Sequence, residues 1–304
     1  MRPILKAESI VKRYGNILAV DDISFEIFRG EIFGFLGPNG AGKTTTIKIM
    51  SGLLKPDSGT VTIDCPDNVK STGICPQHIV VWENLTCMEQ ILFMGKMYNM
   101  KSDEVIVKGN ELLESLGLTG VKDRLAKKLS GGMQRRLNIA LALIHSPEIV
   151  FLDEPQAGLD PQSRVLVRDY IRSIKKKTTV VLTTHDMEEA EKLSDRICII
   201  DKGRLLVTGT ADEIIRTGGH DDLVEIDFEC DPEKELLPFL DTKLLSGIAI
   251  SGNKISFNTK NPTAVLEYVL KAVREHNLKI NNLQSRKKSL EDIFISLTGR
   301  RIRE

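Results

Sequence analysis

No run of 18 apolar residues occurs anywhere in the 304-residue chain, so it is not expected to cross a bilayer by itself. Met1 to Val20 is studded with charge and holds no apolar core of the kind a secretory signal needs. Neither sign of charge is in excess, since 42 basic side chains balance 42 acidic ones. A sequence-independent grip on nucleic acid needs a strongly basic footprint. The whole chain has none, so no nucleic acid is expected as a partner. Cysteine is sparse. The five thiols (Cys65, Cys75, Cys87, Cys198, Cys230) are odd in number and contain no C-x-x-C pair. That removes a zinc ribbon and a disulfide framework, and it suits reduced thiols in a cytoplasmic compartment. With 41% apolar and 28% charged residues, 23 Gly and 11 Pro, the composition excludes a disordered, collagenous or fibrous chain. A soluble globular protein of two domains is the expectation.

Short β-like runs alternate with helical patterns through about the first 215 residues. Ile23 to Phe28 alternates like a half-exposed strand. Ile32 to Leu36, Ile149 to Leu152 and Val180 to Leu182 are continuous apolar runs, as buried parallel strands require. From 86 to 145 the pattern is helical: Thr86-x-x-Glu89 is a capping box, and Met133, Leu137, Ala140, Leu141 and Ile144 share one helical face. Thr217-Gly218-Gly219-His220 reads as a linker. Beyond it come alternating strand patterns, a hairpin signal at Ser251-Gly252-Asn253, and a final helix capped by Ser289-x-x-Asp292. The expected division is therefore 1–218 and a small α+β domain over 219–304.

Two of the buried runs end at chemistry, where ligands of open α/β sheets bind. After Leu36 stands Gly37-Pro38-Asn39-Gly40-Ala41-Gly42-Lys43-Thr44, which fits G-x-x-x-x-G-K-[ST]. Glycines let backbone N–H groups converge on phosphate oxygens, and the dipole of the helix beginning near Thr45 adds to the attraction. In this motif Lys43 reaches the β- and γ-phosphates and Thr44 offers its hydroxyl to Mg²⁺. After Leu152 stand Asp153 and Glu154.

The downstream motifs narrow the class. Leu129-Ser130-Gly131-Gly132-Met133-Gln134-Arg135-Arg136 resembles the LSGGQ signature of ATP-binding-cassette ATPases. Val150 to Pro155 resembles their Walker B, Gly158-Leu159-Asp160 their D-loop, and Thr184-His185-Asp186 their switch histidine. Pro76-Gln77 falls at the Q-loop and Tyr14 at the adenine-stacking aromatic. The resemblance implies an α/β P-loop cassette: a RecA-like parallel-sheet core, an N-terminal antiparallel β part and an inserted helical subdomain. It implies ATP and Mg²⁺ as cofactors. Asp153, Thr44 and Gln77 would attend the metal, Glu154 would polarise the attacking water, and His185 would donate to the γ-phosphate. Pro38, Asn39, Ala41 and Thr45 go with the phosphate loop, while Ser130, Gly131, Gly132 and Asp160 would serve nucleotide held by an opposite subunit. Taken alone, His185 reads equally as a helix-entry residue and Tyr14 as a packed ring. Met133 replaces the usual signature glutamine, and Gln156 stands where Thr or Ser is commoner.

One cassette with no membrane span resembles the soluble motor of a transporter. That implies a separate integral-membrane permease subunit, a position on the cytoplasmic face, and a nucleotide-sandwich homodimer or pairing with a second cassette subunit. The tail from Ser289 to Gly299 resembles that of daunorubicin-resistance-type drug or lipid exporters. The alternative is a soluble ATP-dependent switch acting on a protein or nucleic-acid partner without transport.

Overall fold

The computed structural model describes residues 2–66, 71–219, 221–241 and 245–299. The chain divides into two compact units, one reaching Ala211 and the other beginning at Asp212. The first opens with β1 (Pro3–Tyr14), β2 (Ile17–Phe28), β3 (Ile32–Leu36), α1 (Lys43–Met50), β4 (Ser58–Ile63) and β5 (Thr72–Cys75). Three helices follow, α2 (Cys87–Met97), α3 (Ser102–Ser115) and α4 (Gly131–Leu143). The unit closes through β6 (Ile149–Asp153), α5 (Pro161–Ile174), β7 (Thr179–Thr184), α6 (Met187–Leu193), β8 (Arg196–Asp201) and β9 (Arg204–Gly209).

Six strands form the central sheet in the order β5-β6-β7-β3-β8-β9, parallel except for β9 at one edge. Its inner strands are apolar on both sides because both faces are covered. Ile32, Val150, Leu152, Val180 and Leu182 pack toward the helices. Phe33, Phe35, Ile149, Phe151 and Val181 pack the other way, against β1, β2 and α1. There β2-β1-β4 make a separate antiparallel sheet, and Phe25 closes a three-ring cluster with Phe33 and Phe35. The 86–145 segment is helical as expected, yet it shares one core with the sheet rather than enclosing its own.

Thr86 caps α2 with the full capping box, its hydroxyl accepting from Glu89 N while the Glu89 carboxylate accepts from Thr86 N. Such an arrangement stabilises a helix start by about 1 kcal/mol. Helix α4 departs from the sequence expectation. It is buried along every residue from Arg135 to Leu143, not along one stripe, because α2 and α3 lie on one side and β5 and β6 on the other. Its polar side chains must therefore find partners inside. Arg136 Nη1 donates to Leu116 O at 2.6 Å and to Gly117 O at 3.2 Å. Asn138 Nδ2 donates to Cys75 Sγ at 3.2 Å.

The second unit runs α7 (Ala211–Thr217), β10 (Asp222–Phe228), α8 (Pro232–Glu235), β11 (Ser246–Ser251), β12 (Lys254–Thr259), α9 (Pro262–Glu275), β13 (Ile280–Arg286) and α10 (Leu290–Thr298). From β10 to β13 this is β-α-β-β-α-β with strand order β11-β12-β10-β13, a split βαβ arrangement whose first helix is one turn long. Val224, Ile226, Phe228, Ile255 and Phe257 face Val269 and Val273 of α9. The division falls at the start of α7 rather than at the glycines, and Gly218 packs within the second unit. An added Cβ at Gly218 would lie 2.3 Å from Ile293 Cδ1, and Lys288 Nζ donates to Gly218 O at 2.5 Å. His220, from the expected linker, and residues 300–304 lie outside the described residues.

Candidate active site

Strand β3 delivers the chain into the loop 37–42, and α1 leaves it at Lys43. Two glycines fit there because nothing larger does. A Cβ at Gly37 would stand 2.2 Å from Ile200 O, and one at Gly42 would stand 2.3 Å from Ala19 O. Gly42 also has φ 103°, a conformation that side chains resist. No side chain caps α1, so its first N–H groups and dipole are offered to an anion. Asn39 to Thr45 line a cleft of about 550 Å³ together with Gln77, Glu154, Lys202 and Ile17 to Ala19 of β2.

Lys43 is buried, with Nζ donating to Gly37 O at 2.7 Å and Pro38 O at 3.0 Å. Its ammonium lies 3.7 Å from Glu154 Oε1. Burial pulls the lysine pKa below its ordinary value, and the Glu154 and Asp153 carboxylates oppose that pull. Asp153 ends β6, buried, and accepts a 2.5 Å hydrogen bond from Thr183 Oγ1. Thr183 in turn accepts from Glu154 N at 2.9 Å. Glu154 adopts φ 51°, and both its carboxylate oxygens lie 3.1 Å from His185 Nδ1.

Lys43, Asp153, Glu154 and His185 thus converge from three separate segments on the carboxyl ends of β3, β6 and β7. Thr44 and Gln77 join them at the cleft wall. Tyr14 pairs with Ile17 across the β1–β2 hairpin, half-exposed, with Lys12 Nζ 5.9 Å from its ring centre. Tyr14 is not among the cleft-lining residues. The signature residues stand elsewhere too. Ser130 caps α4, accepting from Met133 N at 3.2 Å, and Gly131 and Gly132 begin its first turn. A Cβ at Gly132 would lie 3.4 Å from Leu159 Cδ2 and 4.0 Å from Asp160 Oδ2, so signature and D-loop are neighbours. Asp160 caps α5, and its bonds from Ser163 hold the carboxyl below the usual range. None of Ser130, Gly131, Gly132 or Asp160 lines the cleft of its own chain.

Thr183 belongs to no sequence motif, although its hydroxyl bonds both Asp153 and Glu154 N. The available signal was a hydroxyl two residues before His185 at the end of an apolar strand. Lys202 and the β2 residues carried no comparable signal, since only sheet pairing brings them to the loop.

Residues 20–157 match the family model described as ABC transporter. Over the whole length, the chain is 36% identical to the linearmycin resistance ATP-binding protein LnrL of Bacillus subtilis, covering 99% of this chain and all of that one. The chain belongs to the ABC transporter ATPases. It is also 35% identical to the daunorubicin resistance ATP-binding protein DrrA3 of Streptomyces coeruleorubidus, over 96% of each chain. Among solved structures, the ATP-binding subunit of an ABC transporter superposes with a TM-score of 0.65 at 27% identity, over 71% of this chain and 93% of that one.

As an ABC ATPase the chain binds and hydrolyses ATP, and it is the ATP-binding subunit of a transporter. The cleft fits a triphosphate on its own chemistry: glycines where a Cβ would strike backbone, an uncapped helix start and a buried ammonium at its floor. Among the described residues, no helix is long and apolar enough to cross a membrane.

Proposed function

We propose that this chain drives export of drug-like or lipid-like molecules through a separate integral-membrane permease, working as a nucleotide-sandwich dimer on the cytoplasmic face. The observation that carries the export reading is the extent of likeness. Chains named for linearmycin and daunorubicin resistance match it through the second unit as well as the cassette. The seat best suited to the permease is an apolar groove of about 610 Å³ walled by Pro76, Val80, Trp82 and Met94. Trp82 stands there partly exposed, edge to face with the partly exposed Phe93 beside it, as a docking site for an apolar helix requires.

Within the cleft, Lys43 pairs with the β- and γ-phosphates and the loop N–H groups of 37–45 hold their oxygens. Asp153, Thr44 and Gln77 supply oxygen donors of the kind Mg²⁺ takes alongside phosphate, so the metal fits this set. Bound there, Mg²⁺ neutralises charge on the phosphates. Glu154 accepts a proton from the attacking water, and His185, held against both Glu154 oxygens, steers a donor toward the γ-phosphate. Tyr14 gives the adenine ring a face to stack on. Ser130, Gly131, Gly132 and Asp160 serve the cleft of a second chain, a homodimer partner or another cassette subunit. The support is that Gly132 and Asp160 are neighbours and that none of the four lines the nucleotide cleft of its own chain.

Affinity capture of the tagged chain from native membranes tests the transport reading. A hydrophobic integral-membrane protein should come with it. Capture of ribosomes or DNA instead, with no membrane subunit, would replace a transporter by a soluble switch. The accessory role of the C-terminal domain carries its own expectation. Truncation after Ala211 should leave ATP affinity within about twofold, because every cleft residue precedes the cut. A folded truncated chain that binds no ATP in calorimetry would overturn that division of labour.

A further inference from the structure

Tyr14 ends β1 half-exposed, at a two-residue turn, and its partner across that turn, Ile17, lines the nucleotide cleft. A ring so exposed is oriented by what lies against it. Lys12 stands two residues earlier, on the same side of the strand, with Nζ 5.9 Å from the ring centre. Its side chain is only 15% exposed, unlike a lysine spent on solubility. The ammonium is also held, donating to Lys55 O at 2.9 Å and to Asp57 Oδ1 at 2.8 Å.

Asp57 grips the same stretch of strand at three successive residues. Its N–H donates to Val11 O at 2.8 Å, one carboxylate oxygen takes the Lys12 ammonium, and the other accepts from Arg13 N at 2.7 Å. The bond from Lys12 holds the carboxyl below its ordinary range. These bonds fall where the β1–β2 ladder is irregular on both sides of Lys12, so sheet pairing alone leaves the strand end loosely set. Asp57 belongs to the segment that leaves α1, the helix that begins at Lys43, and Leu54 N of that segment donates back to Lys48 O at 2.9 Å. The aromatic ring and the phosphate loop are therefore attached to the two ends of one connected piece of chain.

We propose that Lys12 and Asp57 are positioning residues, a clamp that sets the Tyr14 ring for adenine at a fixed reach from the phosphate loop. The ammonium takes one side of the ring and leaves the other for the base. ATP then meets both ends of its site already spaced, and less ordering is left to the binding step. The proposal rests on the reading of Tyr14 as the adenine platform.

The test separates the base from the phosphates by comparing ATP with inorganic tripolyphosphate at the same Mg²⁺ concentration. An ion pair near the surface adds little to stability, so the variants are expected to fold. Lys12→Met should weaken ATP binding about three- to tenfold and raise KM to match, with kcat at saturating ATP within about twofold. Tripolyphosphate affinity, measured by competition, should not change. Lys12→Arg should restore most of the loss, since a guanidinium can pair with Asp57 and still lie over the ring. Asp57→Asn should shift ATP affinity in the same direction by less, and it is the working variant if the methionine protein does not fold. Added to Tyr14→Ala, Lys12→Met should weaken ATP no further, because it acts through that ring. Equal losses for ATP and tripolyphosphate would overturn the clamp, as would multiplying effects in the double variant. Wild-type ATP affinity in folded Lys12→Met, with Tyr14→Ala impaired, would refute the clamp and leave the platform standing. Normal ATP affinity in Tyr14→Ala would remove the platform, and the clamp with it.

Discussion

Glu154→Gln should slow ATP hydrolysis by roughly 10²- to 10⁴-fold while leaving ATP bound, the usual scale for losing a positioned base. Glutamine has the shape of glutamate, so the bond from Thr183 Oγ1 to the strand end and the place beside His185 both survive. What disappears is the carboxylate's capacity to accept a proton, together with the charge 3.7 Å from Lys43 Nζ. Steady-state phosphate release gives the rate, and equilibrium dialysis with labelled ATP gives the retained affinity. Because the product state is no longer reached, an ATP-bound dimer should accumulate on gel filtration. Hydrolysis at the wild-type rate would assign the water to another group.

Lys43→Ala should weaken ATP binding about a hundredfold or more. It removes a buried cation from its hydrogen bonds and leaves two carboxylates facing the phosphates without it, and losses at such desolvated charges run to several kcal/mol. Calorimetry at fixed Mg²⁺ measures it, and unchanged affinity would remove Lys43 from its role. The same variant probes how sites are assembled. Lys43→Ala and Ser130→Arg should each be inactive alone, the first in its own cleft and the second in the cleft it faces. Mixed one to one, random pairing makes half the dimers mixed. Each mixed dimer has one site with both residues intact, so activity should recover to roughly a quarter of wild type if sites fire independently. If the mixture stays silent and no dimer forms with ATP in Glu154→Gln either, the two-chain site is refuted for this protein.

Much of this site was legible because its parts are local. The phosphate loop is eight consecutive residues, and Asp153-Glu154 follows a four-residue apolar run whose burial on both faces is written in its composition. The caps at Thr86, Ser130 and Ser289 were equally readable, since each acts within three residues of itself. What stayed hidden depends on pairing. Strand β5 has only four residues, and β13 reads Ile-Asn-Asn-Leu-Gln-Ser-Arg, polar because it is an exposed sheet edge. The burial of Arg135 and Arg136 runs against their residue type, and only the packing of α4 between helices and sheet explains it. Nor does spacing along the chain disclose that the signature stands apart from the cleft of its own chain and beside the D-loop.

The left-handed backbone at Glu154 has a consequence for the protein's evolution. A residue with a Cβ holds φ 51° there at some conformational cost, where glycine would hold it freely. The fold meets that cost with Thr183, whose hydroxyl accepts from the strained N–H. The strain sits at a carboxylate that faces both Lys43 and His185. Selection for stability alone would therefore be drawn to this position, and the variants it favoured would be firmer proteins that no longer turn over ATP.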